Sequence, residues 1–523
     1  MKKLSILTGL IILILGNYSC EPVPVVAKFK DMRELTITDY IDANKTRFSS
    51  FESILQKGKL FGTLSAYNPH GLGYTLFLPD NNAIDKFISE SGTYKSLADM
   101  LNDSAYIYQF CRYHVLNAAY LTNDFPFGAF PQLTLTQDYL TVSFVAQKDT
   151  SYYLINNTSP VTQTNIELSN GYIQVIGSTL KPITFTSYGW LSQHPGYSIF
   201  LSAIDITGLK DTININTKSL AQQPKATTML IEHDSVYNKR HIYSLTDLEN
   251  FISPGNSNYT STLNPLYNYV AYHILNGSRF LDKLFGFASN YSTYSDVPLN
   301  INGLGNDLKI NLTKENFDTL VHLGDTTIVN WVGFNYDASN IVTQSGVIHF
   351  IDQVLRQQTP SRATQTYEFW EEPLLNLDRL TPGTYLIENH ASLTTVAWSG
   401  ADLYYVKKPD IPGVNAQSWS NDYMLINGDF RIAYTIPKVI QGKYLVYLQA
   451  EAYNSANATV EIYIDGLKIG QLFDLSSGGS ASSPFIAMRL GTIEFTTYQA
   501  HTVEVRSLIP GRFCWDYVQF IPN

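Results

Sequence analysis

Two Tyr-His pairs are the side chains in this sequence best suited to acid–base chemistry. Tyr113-His114 and Tyr272-His273 each close a stretch of helical periodicity. An imidazole beside a phenol at a helix end offers a general base or a metal ligand near neutral pH. Neither pair has a second His or a carboxylate at metal-ligand spacing, and His349, in a strand pattern, stands equally alone. The expectation for these imidazoles is packing and hydrogen bonding, with no metal. Glu371-Glu372 and Asp402 are the acidic candidates, but adjacent carboxylates do not make a separated acid–base pair, and a solvated surface is expected. No G-x-S-x-G elbow, P-loop, H-E-x-x-H, EF-hand loop or C-x-x-C occurs. The chain is therefore expected not to be an enzyme.

Aromatic side chains offer a second kind of chemistry. Of 36 Tyr and 6 Trp, the tryptophans Trp370, Trp398, Trp419 and Trp515 fall in the last third. A sugar ring packs its C–H face on an aromatic plane while flanking polar groups take its hydroxyls. Loop-like surroundings make Trp398, Tyr404, Tyr405, Trp419 and Tyr423 candidates for such a contact, with Asp402, Asn421 and Asp422 as polar partners. The competing reading is that these aromatics fill a core, as Trp515 does in its strand pattern.

The elements around the Tyr-His pairs repeat in order. Thr75 to Asp80 is a short apolar strand stopped by Pro-Asp, and a helical pattern follows at Ala83, Ile84, Phe87 and Ile88. An amphipathic helix over Ile107 to Leu116 carries the first pair, and Asn170 to Ile176 turns into a β-branched strand. The second pass gives Thr228 to Ile231, then the helix closing on Tyr272 to Asn276, then Ser345 to Ile351. Three landmarks in one order, twice, imply a duplicated α+β domain.

At these residues the chain resembles the fasciclin family. The first copy offers YTLFLPDNNAI, RYHVLN and NGYIQVIGSTL; the second offers TTMLIEHDSVY, AYHILN and SGVIHFIDQVL. In the second copy Glu232 stands where the family has Pro, which puts the local turn in question. The resemblance implies two α+β domains, 35–184 and 185–358, in which Tyr113, His114, Tyr272 and His273 are chiefly packing elements.

From Thr364 onward the texture changes to short alternating strands. Tyr444 to Ala452 sets Gln449 and Glu451 opposite Leu448 and Ala450, and Asp465-Gly466 joins Val460–Ile464 to Leu467–Phe473 as a hairpin. An antiparallel all-β sandwich or jelly roll over 364–523 is expected. Its pattern is similar to the galactose-binding-like sandwiches that include many carbohydrate-binding modules. That likeness implies a glycan ligand and allows a structural calcium, although no calcium-ligand cluster is readable.

The N-terminus speaks to address. Met1-Lys2-Lys3 precedes an apolar stretch from Leu4 to Gly16, the length of a signal-peptide core and too short for a permanent span. It runs into Asn17-Tyr18-Ser19-Cys20, which resembles the lipobox of bacterial lipoproteins. That implies a signal peptide over 1–19, lipid on Cys20, and a Pro-containing linker over 20–34. A cell-envelope protein, lipid-anchored in the outer membrane and facing the surface, is the expectation.

Composition fits this placement. The 523 residues exceed one core, and 44% hydrophobic with 15% charged residues describe folded material. A formal charge of −10 argues against nucleic acid as a partner. Polysaccharide, or another envelope protein on which the chain docks as an accessory subunit, are the partners considered. Cys111 and Cys514 are expected as buried free thiols.

Overall fold

Uniformly apolar runs require cover on both faces, and the strand Tyr74–Pro79 is buried at every position. It pairs in parallel with Gly171–Ile176, from Tyr74↔Gly171 to Pro79↔Ile176. One face meets Phe48, Phe51 and Leu55 of the helix Lys45–Lys57 in a core with Leu76, Leu78, Ile173 and Val175. The other carries Phe77 and Ile176 into a second cluster with Tyr113, Phe130 and Leu140. Asp80 then caps the helix Asn81–Ser91 by accepting from the Ala83 N–H, and Ala83, Ile84, Phe87 and Ile88 form its buried face.

The seven-stranded sheet of this first unit runs Val115–Leu116, Tyr74–Pro79, Gly171–Ile176, Ser159–Leu168, Ser151–Ile155, Thr141–Ala146, Gly128–Ala129. A four-stranded sheet farther along runs Ile341–Thr343, Gly346–Ile351, Thr227–Glu232, Ile274–Asn276. Taken from its other end, that order matches the first four strands of the larger sheet. The central pair is again parallel, from Gly346↔Thr227 to Ile351↔Glu232. The repeat in the sequence is thus a repeat of sheet order. Glycine is demanded at the same place in both: Gly171 and Gly346 have φ of +151° and +136°. A Cβ there would lie 2.0 Å from the carbonyl oxygens of Tyr74 and Thr227 respectively.

One expectation is corrected. The helices stop at Tyr113 and Tyr272, with His114 and His273 as C-caps, rather than continuing to Leu116 and Asn276. Val115–Leu116 and Ile274–Asn276 are instead edge strands on Tyr74–Pro79 and Thr227–Glu232. Their apolar residues are drawn into the sheet, where they pair across rather than along the chain.

The C-terminal region is β-rich. One sheet runs Gly383–Leu386, Leu403–Lys407, Asp422–Gly428, Gly511–Pro522, Gly442–Glu451, Phe485–Phe495, with Gln365–Tyr367 also paired to Gly511–Pro522. A five-stranded sheet runs Val396–Ser399, Arg431–Val439, Gln499–Ile509, Thr459–Ile464, Leu467–Asp474. Both contribute to one core, in which Tyr444, Val446, Leu448 and Ala450 meet Ile432, Tyr434, Val460 and Val503. Asp465 and Gly466 have φ of +49° and +79°, the left-handed pair that a two-residue hairpin needs.

This computed structural model describes residues 35–68, 73–146, 150–218, 226–252, 256–295, 297–312, 318–322, 325–329, 331–360, 362–369, 382–411 and 416–523. The expected signal peptide, Cys20, the linker to residue 34, and Trp370, Glu371 and Glu372 lie outside the described residues. Cys111 and Cys514 are buried free thiols. Among the described residues, no helix is long and apolar enough to cross a membrane.

Candidate functional site

The Tyr-His pairs are interior. His114 lies between the rings of Phe51 and Phe110, 5.1 and 4.7 Å away. Its Nδ1 donates to the Phe110 carbonyl at 2.8 Å, which leaves Nε2 to accept from the Leu180 N–H at 3.0 Å. Both nitrogens are committed, and burial lowers the imidazole to about 4, so it is neutral. The Tyr113 hydroxyl accepts from the Asn156 amide at 2.9 Å. His349 is held similarly: Nε2 donates to the Arg279 carbonyl, Nδ1 accepts from the Asn340 N–H, and burial lowers it to about 4.

The second pair carries a further partner. His273 Nδ1 donates to the Tyr269 carbonyl at 2.7 Å, and Nε2 faces Glu232 Oε1 at 3.0 Å. The Tyr269 hydroxyl and the Leu355 N–H also donate to Oε1, at 3.0 and 2.9 Å, and the Tyr237 hydroxyl donates to Oε2 at 3.0 Å. Glu232 stays in its strand, so the turn in question is intact and the carboxylate is fully engaged. Burial, then Glu232, raises both phenols well above their ordinary value. The Tyr272 hydroxyl accepts from Asn311 Nδ2 at 3.0 Å. Neither imidazole reaches the surface, so neither presents a base or ligand to solvent.

The candidate aromatics divide between faces. Trp398 is buried in the two-sheet core, its plane covered by His390 at 3.9 Å. Tyr405 belongs to the same core and donates to Asp422 Oδ2 at 2.7 Å. Tyr423 is buried on the opposite face of its sheet, 5.1 Å from Phe485. Tyr404 is half-buried and Asp402, in the turn before it, is exposed. Asn421 Nδ2 donates to Asp410 Oδ1 at 2.6 Å. Only Trp419, 38% exposed, offers solvent a large aromatic surface. The eight residues do not form one surface.

Trp419 instead anchors a corner that sequence reasoning missed. Its ring lies 5.7 Å from Tyr517 and 6.2 Å from Phe287 of the second α+β unit. Its backbone N–H donates to Asp516 Oδ2 at 2.9 Å, and Gln449 Nε2 donates to the same oxygen at 2.9 Å. The next residue, Ser420, donates to Glu368 Oε2 at 3.3 Å. Ser420 and Asn421 both have left-handed φ, +56° and +57°. Burial, then Asp422 and Asp516, raises Glu368 well above the carboxylate range. Burial is also the first cause that brings Asp516 up to about 8. Asp516 interrupts the buried run Phe513 to Val518, and that is the one signal in the sequence that marks the corner.

Calcium needs about six to eight oxygen ligands. Among the described residues, no group of three or more His, Cys, Asp or Glu is arranged to hold a metal ion. Two carboxylate oxygens here, Glu368 Oε1 and Asp516 Oδ1, are buried without a hydrogen-bond partner. No calcium-ligand set of that size is assembled among the described residues.

Residues 46–182 match the Fasciclin domain family. They are a fasciclin domain. The chain is also similar to the FAS1 domain pair of the insect cell adhesion molecule Fasciclin I, at 13% identity over 59% of this chain and 96% of that one, with a TM-score of 0.27. Similarity to a xanthan lyase from Paenibacillus has 11% identity over 45% of this chain and 23% of that one, TM-score 0.22. A family 35 carbohydrate binding module from Clostridium thermocellum gives 15% identity over 28% of this chain and 100% of that one, TM-score 0.19. No curated protein matches.

Proposed function

We propose that this is a cell-envelope lipoprotein of adhesion or surface binding, whose ligand is a glycan held by the C-terminal module. In this reading the second α+β unit is a second fasciclin domain, 364–523 is a jelly-roll-like sandwich, and Cys20 carries lipid. The fasciclin domain at 46–182 fits adhesion. In this reading the protein binds its ligand without turning it over, and the imidazoles of its Tyr-His pairs, buried in cores, serve packing.

The observation that carries the glycan reading is Trp419. An exposed indole beside Tyr517 and Phe287, on a backbone pinned by Asp516, is a rigid platform for a sugar face. The test is a glycan array probed with the chain from residue 36 onward, beside Trp419→Ala and Trp398→Phe. Retention of one glycan class, weakened about tenfold or more by Trp419→Ala and little by Trp398→Phe, supports the reading. No retention, together with a stoichiometric envelope protein co-purifying from solubilised membranes, favours an accessory subunit instead.

A further inference from the structure

We propose that protons, not a metal ion, hold the Glu368–Asp422–Asp516 cluster together, and that ionising Asp516 releases the Trp419 segment that covers it. This goes beyond the glycan reading and does not depend on any ligand.

The argument begins with what the cluster lacks. Asp516 is fully buried, Glu368 nearly so, and each keeps one oxygen without a partner. Among the described residues, no lysine, arginine or histidine pairs with either of them. Asp422 is their neighbour and accepts from the Tyr405 hydroxyl. Buried carboxylates crowded together cannot all be ionised without a large desolvation and repulsion cost. A divalent cation would remove that cost, but the carboxylates do not converge as a ligand set. Protonation removes it with the geometry as it stands. The upward displacement of Glu368 and Asp516 agrees.

The groups facing Asp516 come from every element around it. They are Glu368 beyond the strand Gln365–Tyr367, Asp422 (itself held by the Tyr405 hydroxyl), Gln449 on Gly442–Glu451, and Tyr517 on its own strand. The covering segment supplies the Trp419 N–H and the Ser420 hydroxyl, with Asn421 fastened to Asp410. Once Asp516 ionises, relief requires water. The strand Gly511–Pro522 is held by its neighbours up to Trp515 and again from Tyr517 onward, so it yields only at greater cost. The covering segment is fixed by a few side-chain bonds and carries two left-handed residues, so it moves at least cost. Its movement takes Trp419 off Phe287 and loosens the contact between the two modules.

The test is amide hydrogen exchange on the whole chain from residue 36, in chelator, at about pH 6 and about pH 9.5, corrected for intrinsic exchange. Protection at Trp419 to Asn421 is expected to fall by about tenfold or more at the higher pH, while Gly442–Glu451 stays protected. Asp516→Asn keeps the acceptor for the Trp419 N–H and is expected to hold protection at both pH values. If Asp516→Asn does not fold, Glu368→Gln removes a neighbouring carboxylate and must move the wild-type transition to lower pH. Protection unchanged with pH, an equal loss in Asp516→Asn, or an unmoved transition in Glu368→Gln overturns the proposal. So does a gain in protection at neutral pH on adding millimolar calcium, which would make the cluster a cation site.

Discussion

Glu232 occupies the place of a proline, and its carboxylate accepts from Tyr269, Tyr237 and the Leu355 N–H and meets His273 Nε2. In the first unit the equivalent N–H, Leu180, reaches the imidazole directly, with no carboxylate between. The carboxylate is therefore an insertion into an existing polar contact, and removing it strands every donor at once. Glu232→Leu is expected to cost about 3–5 kcal/mol, read as a lower urea midpoint for the second unit. His114→Asn, which strands only the Leu180 N–H and the Phe110 carbonyl, is expected to cost less. That no ligand partner stands near the Tyr-His pairs was legible in the sequence. The compensation around Glu232 was not, since Leu355 lies 123 residues away. The Trp419 corner was hidden for the same reason: Glu368 follows one strand and Asp422 and Asp516 lie on two others, and only the sheet brings them together.

At the scale of elements, the closing strands were legible because their chemistry is local. A turn needing φ > 0 at Gly171 or Gly346, followed by β-branched alternation, can be read from six or seven residues. Gly171→Ala or Gly346→Ala drives a methyl onto the carbonyl of the paired parallel strand. Each is expected to cost about 3 kcal/mol or more and to lower the melting temperature of its own unit, whereas Gly466→Ala at an open hairpin should cost about 1 kcal/mol. The helix ends were misplaced because Val115 and Leu116 extend the 3.6-residue pattern past His114. Only the pairing Thr75↔Leu116 and Leu76↔Val115 shows that the sheet has claimed them. The strands Thr141–Ala146, Ser151–Ile155 and Ser159–Leu168 mix exposed and buried positions without a regular period, and nothing local separates them from loop.

At the scale of the molecule the modules press against one another. Tyr139 meets Phe280 at 5.0 Å, Lys218 pairs with Asp138, and Asn157 donates to the Ser339 carbonyl, joining the two α+β units. Gln132 donates to the Asp410 carbonyl and Ser289 to the Thr364 carbonyl, tying both units to the C-terminal region. These parts answer pH in opposite directions. In the α+β units, His114 and His349 lie near 4, below the ordinary 6.5. Their stabilisation is full above 6.5, and each loses about 1.4 kcal/mol per pH unit as the pH falls from 6.5 toward 4, because the unfolded chain binds the proton first. In the C-terminal region Asp516 lies near 8, above the ordinary 3.8. Its stabilisation is full below 3.8 and fades as the pH rises toward 8, because there the folded chain holds the extra proton. Thermal unfolding followed by hydrogen exchange in each part should therefore show the order of melting reverse: the α+β units first near pH 4.5, the C-terminal sheets first near pH 8.5. Asp516→Asn should reduce the alkaline loss and leave the acid loss intact. One melting order at both pH values would show that the seams bind the modules into a single cooperative unit whose stability masks the separate titrations.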